Sequence, residues 1–589
     1  MKSYNLKSLI SPGFIFVFVI LALMIFVHLY LISKTLVIDN ENNIRTAYAG
    51  YGDIPLHLTQ ITKFAHGQLD NLSEPIYLGE KIKYPFIINL ISGLFLRFTG
   101  ALRFSVLLPV MFFAAGNILL LFLIYKKIMK NKIFAVLALV LFFFGSGFGA
   151  YSYIRKAVDQ RQSFSDFAQE LTVNNVSVNN QLSAKYPDQN IVYNAPIDLA
   201  FLHQRPFFMG LFGFLLVFLL LYSLVEKNLW KYTIFAGLVY GLLPLVHTHS
   251  FVAVSIFLAV IWAVSLVYKK KEIAKKVVVA AVIGIIIALP QMYYLLGTKN
   301  TLGKTADFAS FRVGWMIQPT IGSVQFPEAS ANITAFSLPY LKFTIMNLGL
   351  IFSFFLLIIA LVFFAKKFRH DETGGFSSFW FLVLAATSLI LFLVVELIKL
   401  QPWDFDNNKL LVYWQLCLAP LIMMLFLKII NKKKALGVLA LLAFLLVSLA
   451  SGFLDMLPRV LVSEDKIPVI FDINARALAR YIQDNISVDE KILTGTSHLN
   501  PVASLTGRDV LVGYPGWLWT RGINYSARED LIKKFYASPS KNDQLINQFN
   551  IKYVLIDYQT IFDFKSDLPT FDKAFQKVFQ AGQFTLYKI

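Results

Sequence analysis

Apolar runs long enough to cross a bilayer recur along this whole sequence, and they constrain its fold more than any other feature. Crossing about 30 Å of hydrocarbon takes about 20 consecutive apolar residues in a helix. Such runs lie at 11–32, 105–125, 133–153, 206–225, 276–296, 342–365, 377–399, 410–430 and 435–453, and the longer run Tyr232 to Tyr268 has room for two short spans. Backbone polar groups in lipid must be satisfied within the chain, so these runs must be helices. The sequence therefore predicts a polytopic α-helical membrane protein of about eleven spans. A composition that is 57% hydrophobic and 15% charged, with mean hydropathy +0.61, excludes an ordinary soluble enzyme of 589 residues. The first run follows Lys2 and Lys7 and has no small-residue cleavage site, so it reads as a retained helix.

The formal net charge of +19 needs no nucleic acid to explain it. Its lysines fall in clusters between the apolar runs: Lys126, Lys127, Lys130 and Lys132; Lys227 and Lys231; Lys269 to Lys271 with Lys275 and Lys276; Lys366, Lys367 and Arg369; Lys428 and Lys432 to Lys434. The Lys/Arg bias of cytoplasmic loops puts all of them inside. Lys231 and Lys269 can share that side only if the run between them crosses twice, turning outside near His247-Thr248-His249. The expected topology in a plasma-type (cell) membrane has a cytoplasmic N-terminus and an outer C-terminus. Large outer loops are expected at 33–104, 154–205 and 297–341, and a short one at Pro402 to Asn408. The single cysteine, Cys417, lies inside an apolar run and supports neither a disulfide framework nor a Cys-based metal site.

Residues 1–457 thus form the membrane domain, and composition changes near Pro458. The stretch 458–589 reads as a small α/β domain on the outer face. Helices are expected at Ile473 to Gln483 and Ser526 to Tyr536, and strands at Lys491 to Thr494, Asp509 to Gly513, Tyr553 to Ile556 and Phe584 to Tyr587. Within the first outer loop, Tyr84 to Gly100 is apolar but short, and fits an interfacial or re-entrant helix.

Five polar groupings stand out beside these runs. Asp53 and His57 in GYGDIPLH are four apart and share a face if the segment is helical. A carboxylate at a membrane interface is costly unless paired or used, although Asp two residues before Pro55 is also good helix-start chemistry. His57 either shares a proton or substrate with Asp53 or packs beneath it. His203-Gln204-Arg205-Pro206 stands before a span, where Arg205 offers a fork suited to phosphate oxygens or snorkels to the interface. Trp403-Asp404-Phe405-Asp406-Asn407-Asn408-Lys409 is a polar knot between two spans: Lys409 suits a phosphate, Asp404 and Asp406 suit sugar hydroxyls or a cation, and Asp and Asn are also common turn formers. His247 and His249, with Asp53, are the residues a divalent metal would take, yet histidines two apart at a helix turn are not expected to point the same way. Glu396 and Lys399 read as an internal ion pair. In the C-terminal domain, Gly513-Tyr514-Pro515-Gly516-Trp517-Leu518-Trp519 supplies aromatic faces for sugars or headgroups, flanked by Arg508 and Arg521. No GxSxG, Walker A, HExxH or GxGxxG arrangement is present.

A first span, a loop acid in GYGDIPLHLTQITKFAHG, an interfacial helix introduced by Tyr84-Pro85, a second span and an outward C-terminal domain together resemble the GT-C superfamily of polytopic glycosyltransferases. That resemblance implies a sugar donor carried on a polyprenyl phosphate, with Asp53 as the general base or acceptor-orienting carboxylate. Some members have paired acids at the loop position; Gly52-Asp53-Ile54 has no adjacent second acid, so a metal-dependent, oligosaccharyltransferase-like mechanism is not implied. The expected function is transfer of a sugar to an acceptor at the outer face. Asp53 is its catalytic residue, and His57, His203, Arg205, His247, His249, Trp403, Asp404, Asp406 and Lys409 bind substrate in a cavity between the Asp53 loop and the Trp403–Lys409 turn. No cofactor beyond the lipid-linked donor is expected. The alternatives are a transporter or flippase of lipid-linked saccharides, against which no internal repeat and no paired broken helices are visible, and a noncatalytic envelope assembly factor.

Overall fold

The computed structural model describes residues 12–47, 50–67, 72–166, 193, 195–199, 204–296, 309–315, 337–364 and 377–589. Nine helices among them are long and apolar enough to cross a membrane: Pro12–Ser33, Leu102–Met129, Arg205–Lys227, Thr248–Val267, Lys271–Leu296, Leu338–Phe364, Ser378–Leu397, Phe405–Lys432 and Lys434–Leu461. The protein is a multi-pass helical membrane protein. A tenth crossing comes from Lys132–Phe144 and Gly149–Asp159 if that pair, bent by 61°, is one span. The run expected to cross twice between 232 and 268 gives one long helix, Thr248–Val267, and a short interrupted one, Trp230–Gly241 with Leu243–Val246. The break falls at His247, whose backbone is extended (φ −167°, ψ 110°) and whose side chain caps the following helix by accepting from the Ser250 N–H.

The chain divides into two compact units. The first holds Pro12–Ile32 with the helices of Met111–Gln291 and Ala309–Val462. The run read as one span at 133–153 is broken there at Gly145 to Phe148. A second break lies at Gly349 inside Leu338–Phe364, where φ is 63°. The two breaks meet: the Phe148 N–H donates to the Met346 carbonyl at 2.8 Å, and a Cβ on Gly147 would collide with the carbonyl oxygens of Met346 and Asn347. Only glycine permits such backbone-on-backbone approach. A pair of broken helices is therefore present, although the sequence pattern did not reveal it: both breaks keep their apolar composition, and hydropathy does not see backbone angles.

The carbonyls freed at the break are met by neutral side chains. Gln415 Nε2 donates to the carbonyls of Gly145 (2.8 Å), Phe142 (3.1 Å) and Leu141 (3.2 Å). Ser451 Oγ donates to the Gly147 carbonyl at 2.7 Å, and the Tyr193 hydroxyl donates to Gln415 Oε1 at 3.0 Å. An unmet carbonyl in lipid costs several kcal/mol, which is why a buried glutamine sits in an otherwise apolar helix.

The second unit joins Ser33–Val110 and the helix end from Met292 to Ser463–Ile589. Its four-stranded sheet has the order Lys491–Leu493, Ile551–Ile556, Phe584–Lys588, Gln576–Ala581; the first pair is parallel and the others antiparallel. The helices expected in this region are Ile473–Asn485, capped by Asp472 at the Ala475 N–H (2.8 Å), and Ser526–Ala537. Asp509 to Gly513, expected as a strand, stays out of the sheet. Its backbone pairs with the first loop instead: the Val510 N–H donates to the Pro75 carbonyl at 2.9 Å and the Gly513 N–H to the Ile76 carbonyl at 2.7 Å. Leu56, Ile76 and Tyr77 are accordingly buried in the same apolar core as Leu493, Val554 and Tyr587. A small second sheet joins Val37–Ile38, Ile44–Arg45 and Val469–Phe471.

Candidate functional site

The expected site residues fall in both units, and each group has its own geometry. In the second unit, Gly50–His66 is a helix, so Asp53 stands in its first turn rather than ahead of it as a cap. The partial positive charge of a helix N-terminus attracts anions there. Asp53 is half-buried, while His57, one turn on, is 1% exposed. Asn89 Nδ2 lies 3.0 Å from His57 Nδ1 and donates to Gln60 Oε1 at 2.7 Å. Asn89 belongs to the short apolar helix Ile87–Thr99, the helix expected from Tyr84 to Gly100. Gly93 lets the two helices touch, since a Cβ there would lie 2.5 Å from that of Phe64 and 2.8 Å from the Ile61 carbonyl.

The C-terminal segment closes on the same turn. Helix Pro501–Thr506 is tied to the Asp53 helix by Ser504 Oγ donating to the Pro55 carbonyl at 3.2 Å and Thr62 Oγ1 donating to the Ser504 carbonyl at 3.3 Å. His498 stacks on Tyr51 (ring centroids 4.6 Å apart) and packs against Trp517 at 4.8 Å and the edge of Tyr514 at 5.0 Å. Burial, only partly opposed by a hydrogen bond to the Gly52 carbonyl, lowers the His498 pKa to about 4, so its ring is neutral at pH 7. Two ion pairs lie behind this turn. Arg521 meets Glu74 at 2.7 Å with both side chains almost fully buried, and Lys63 meets Asp509 at 2.5 Å. Sequence reasoning named Trp517 and Arg521 as flanking features but missed His498 and Glu74. The signal was faint: a lone histidine three residues before Pro501, and a glutamate in a short polar loop.

In the first unit, His247 and His249 stack with ring centroids 5.4 Å apart. This corrects the expectation that they point apart, which held for two helical residues; His247 is extended. His247 Nδ1 lies 2.7 Å from Ser250 Oγ, which lies 2.5 Å from the Tyr413 hydroxyl. Phe207, two residues beyond Arg205, packs edge-on against His247 at 5.2 Å. Arg205 begins the helix Arg205–Lys227 and is 3% exposed. Lys409 pairs with Asp406 at 3.0 Å, and Gln401 donates to the same carboxylate. His249 lies within electrostatic reach of both Lys409 and Asp406. The structure therefore gathers His247, His249, Asp406 and Lys409 in one neighbourhood. Trp403 precedes the 3-10 turn Asp404–Asn407, which leads into the helix Asn408–Lys432. His203 lies outside the described residues. Glu396, expected to pair with Lys399, accepts from the Tyr340 hydroxyl and from the Trp315 N–H at 3.1 Å. Among the described residues, no group of three or more His, Cys, Asp and Glu side chains could hold a metal ion.

No family model and no curated protein matches this sequence. Among solved structures, the chain is similar to the oligosaccharyltransferase of Archaeoglobus fulgidus in its apo form: 12% identity and a TM-score of 0.51, over 95% of this chain and 73% of that one. Oligosaccharyltransferase AglB from the same organism, in complex with an inhibitory peptide and a dolichol-phosphate, matches at 12% identity and TM-score 0.51, over 95% and 72%. The archaeal enzyme in complex with Zn and sulfate matches at 13% identity and TM-score 0.50, over 95% and 71%. At such identities the likeness is one of fold, and that fold is the GT-C fold the sequence resembles.

Proposed function

We propose that the chain is a membrane glycosyltransferase that moves a hexosyl or pentosyl group from a polyprenyl-phosphate donor to an acceptor at the outer face of a cell membrane. The observation that carries this reading is the likeness of 95% of the chain to the archaeal enzyme fold, joined to a carboxylate in the first turn of the helix that follows the first span. A related structure holding a dolichol-phosphate supports the choice of lipid carrier. The lysine clusters between spans support a cytoplasmic N-terminus and an outer C-terminal segment.

In the proposed reaction, Asp53 takes the proton of the acceptor hydroxyl as its oxygen bonds to the anomeric carbon, a role worth about 10²–10⁴-fold in rate. The bond from that carbon to the phosphate oxygen breaks, and the electron pair leaves with the lipid phosphate. Direct displacement inverts the anomeric centre. The charge that grows on the departing phosphate in the transition state calls for cationic groups, the role the sequence suggests for Arg205 and Lys409. The described residues offer no three-ligand metal set.

The pair of broken helices at Gly145–Phe148 and Gly349 favours one rival, a transporter or flippase of lipid-linked saccharides, since discontinuous spans line many transport sites. The carbonyls of Gly145 and Gly147 at the first break, however, already accept from Gln415 and Ser451. The deciding experiment is transfer of labelled sugar from a panel of polyprenyl-phosphate donors by wild type and Asp53→Asn in proteoliposomes. Loss of transfer by about 10²-fold or more with donor binding kept supports the reading. Equal transfer by both removes Asp53 from the chemistry, and donor translocation without transfer supports the transporter.

A further inference from the structure

We infer that His498 and Trp517 are positioning residues for Asp53, acting through the backbone carbonyl of Gly52; the inference rests on the transferase reading of Asp53. The helix that carries Asp53 starts weakly. Gly50 and Gly52 bring the backbone freedom of glycine to its first turn. Pro55 has no N–H to return to the Tyr51 carbonyl one turn back. A turn built this way does not by itself hold a carboxylate in one place.

The hold comes from the C-terminal segment. Trp517 donates its indole Nε1–H to the Gly52 carbonyl at 3.2 Å, and His498 Nε2 reaches the same oxygen at 3.3 Å. The Gly52 carbonyl and the Asp53 nitrogen belong to one planar peptide unit. Two donors on that oxygen therefore fix the plane from which the Asp53 side chain departs. The donors are themselves held: Trp517 lies in the helix Pro515–Thr520, and the His498 ring is packed among Tyr51, Tyr514 and Trp517. His498 must carry its proton on Nε2 to donate. Among the described residues its buried Nδ1 meets no acceptor, so none competes for that proton. A Cβ on Gly52 would meet nothing within 4 Å, so glycine is not required there for space. Backbone freedom at Gly52 is what the two donors restrain.

The test uses the full chain in proteoliposomes with Trp517→Phe, His498→Phe and the double variant, each keeping a ring and losing an N–H. Transfer kinetics, melting temperature and amide hydrogen exchange of the segment from Tyr51 to Leu58 are measured together. Each single variant is expected to lower kcat about 10-fold with KM for the donor within about 2-fold, the pattern of lost transition-state interaction rather than lost binding. Exchange in that segment rises, and the double variant falls short of the product of the singles because both donors act on one oxygen. Adding Gly52→Ala to Trp517→Phe restores part of kcat by stiffening the turn. A fall in melting temperature with kcat unchanged overturns the proposal, leaving the two bonds structural. A rise in KM at constant kcat also overturns it and makes the residues substrate contacts. If wild type transfers from no donor, the transferase reading fails; the catalytic role of the hold falls with it, while unchanged exchange in the variants would overturn the hold itself.

Discussion

Two buried polar clusters, one in each unit, are settled in opposite ways. In the first, the break at Gly145–Phe148 is served by an amide, hydroxyls and glycine contacts, all neutral. In the second, Glu74 with Arg521 and Lys63 with Asp509 are charge pairs, and Arg508 reaches the Ile482 carbonyl at 3.2 Å. Solvent explains the difference. Ionic groups within a bilayer are costly and rare away from a functional path, whereas a segment assembled in water can bury a charge if its partner arrives with it. One charge pair does lie among the membrane helices, Lys409 with Asp406 near the stacked histidines.

Three substitutions break or sharpen that contrast. Arg521→Ala strands a glutamate of 0% exposure and should cost about 3–5 kcal/mol, read from denaturant or thermal unfolding of the purified protein. A smaller cost from Arg521→Ala than from neutral-network variants would erase the distinction. Gly147→Ala forces a methyl into two carbonyls and should cost about 1–3 kcal/mol, and Gln415→Leu, which leaves the Gly145, Phe142 and Leu141 carbonyls without that donor, a similar amount. A neutral result for both would mean that the break relaxes freely. The smallest effect is one of pH. His498 has a folded pKa of about 4 against an ordinary 6.5, so the unfolded chain binds the extra proton first, and the stability His498 gives at neutral pH is lost as pH falls from 6.5 toward 4. Melting temperatures across that window should decline more steeply in wild type than in His498→Phe.

The membrane architecture was legible because hydrophobic length is a direct physical requirement of lipid, and the run between Tyr232 and Tyr268 does break at His247. Backbone breaks were not, since Gly147 and Gly349 matter through contacts with residues about two hundred positions away. The cluster of His247, His249, Asp406 and Lys409 was named piecewise from residue chemistry; its assembly needed the fold. His498 was illegible because its importance lies in one carbonyl oxygen, and an acceptor that every residue possesses leaves no trace in composition. Asp509 to Gly513 had a strand's sequence and found a different partner, the first loop, which local pattern cannot specify.

The pairing of Ile44–Arg45 with Val469–Phe471 sets a schedule for biosynthesis. Arg45 also donates to the Ile467 carbonyl at 2.7 Å across 422 residues of chain. At about 5–20 residues per second, the ribosome needs about 20–80 s to deliver the second strand after the first. During that interval the short strand at Ile44 has an unmade edge, and the apolar Ile76 and Tyr77 await the core they share with Val554. A nascent chain stalled among the later spans therefore leaves apolar surface uncovered in the same segment, 33–110, that carries its candidate acid.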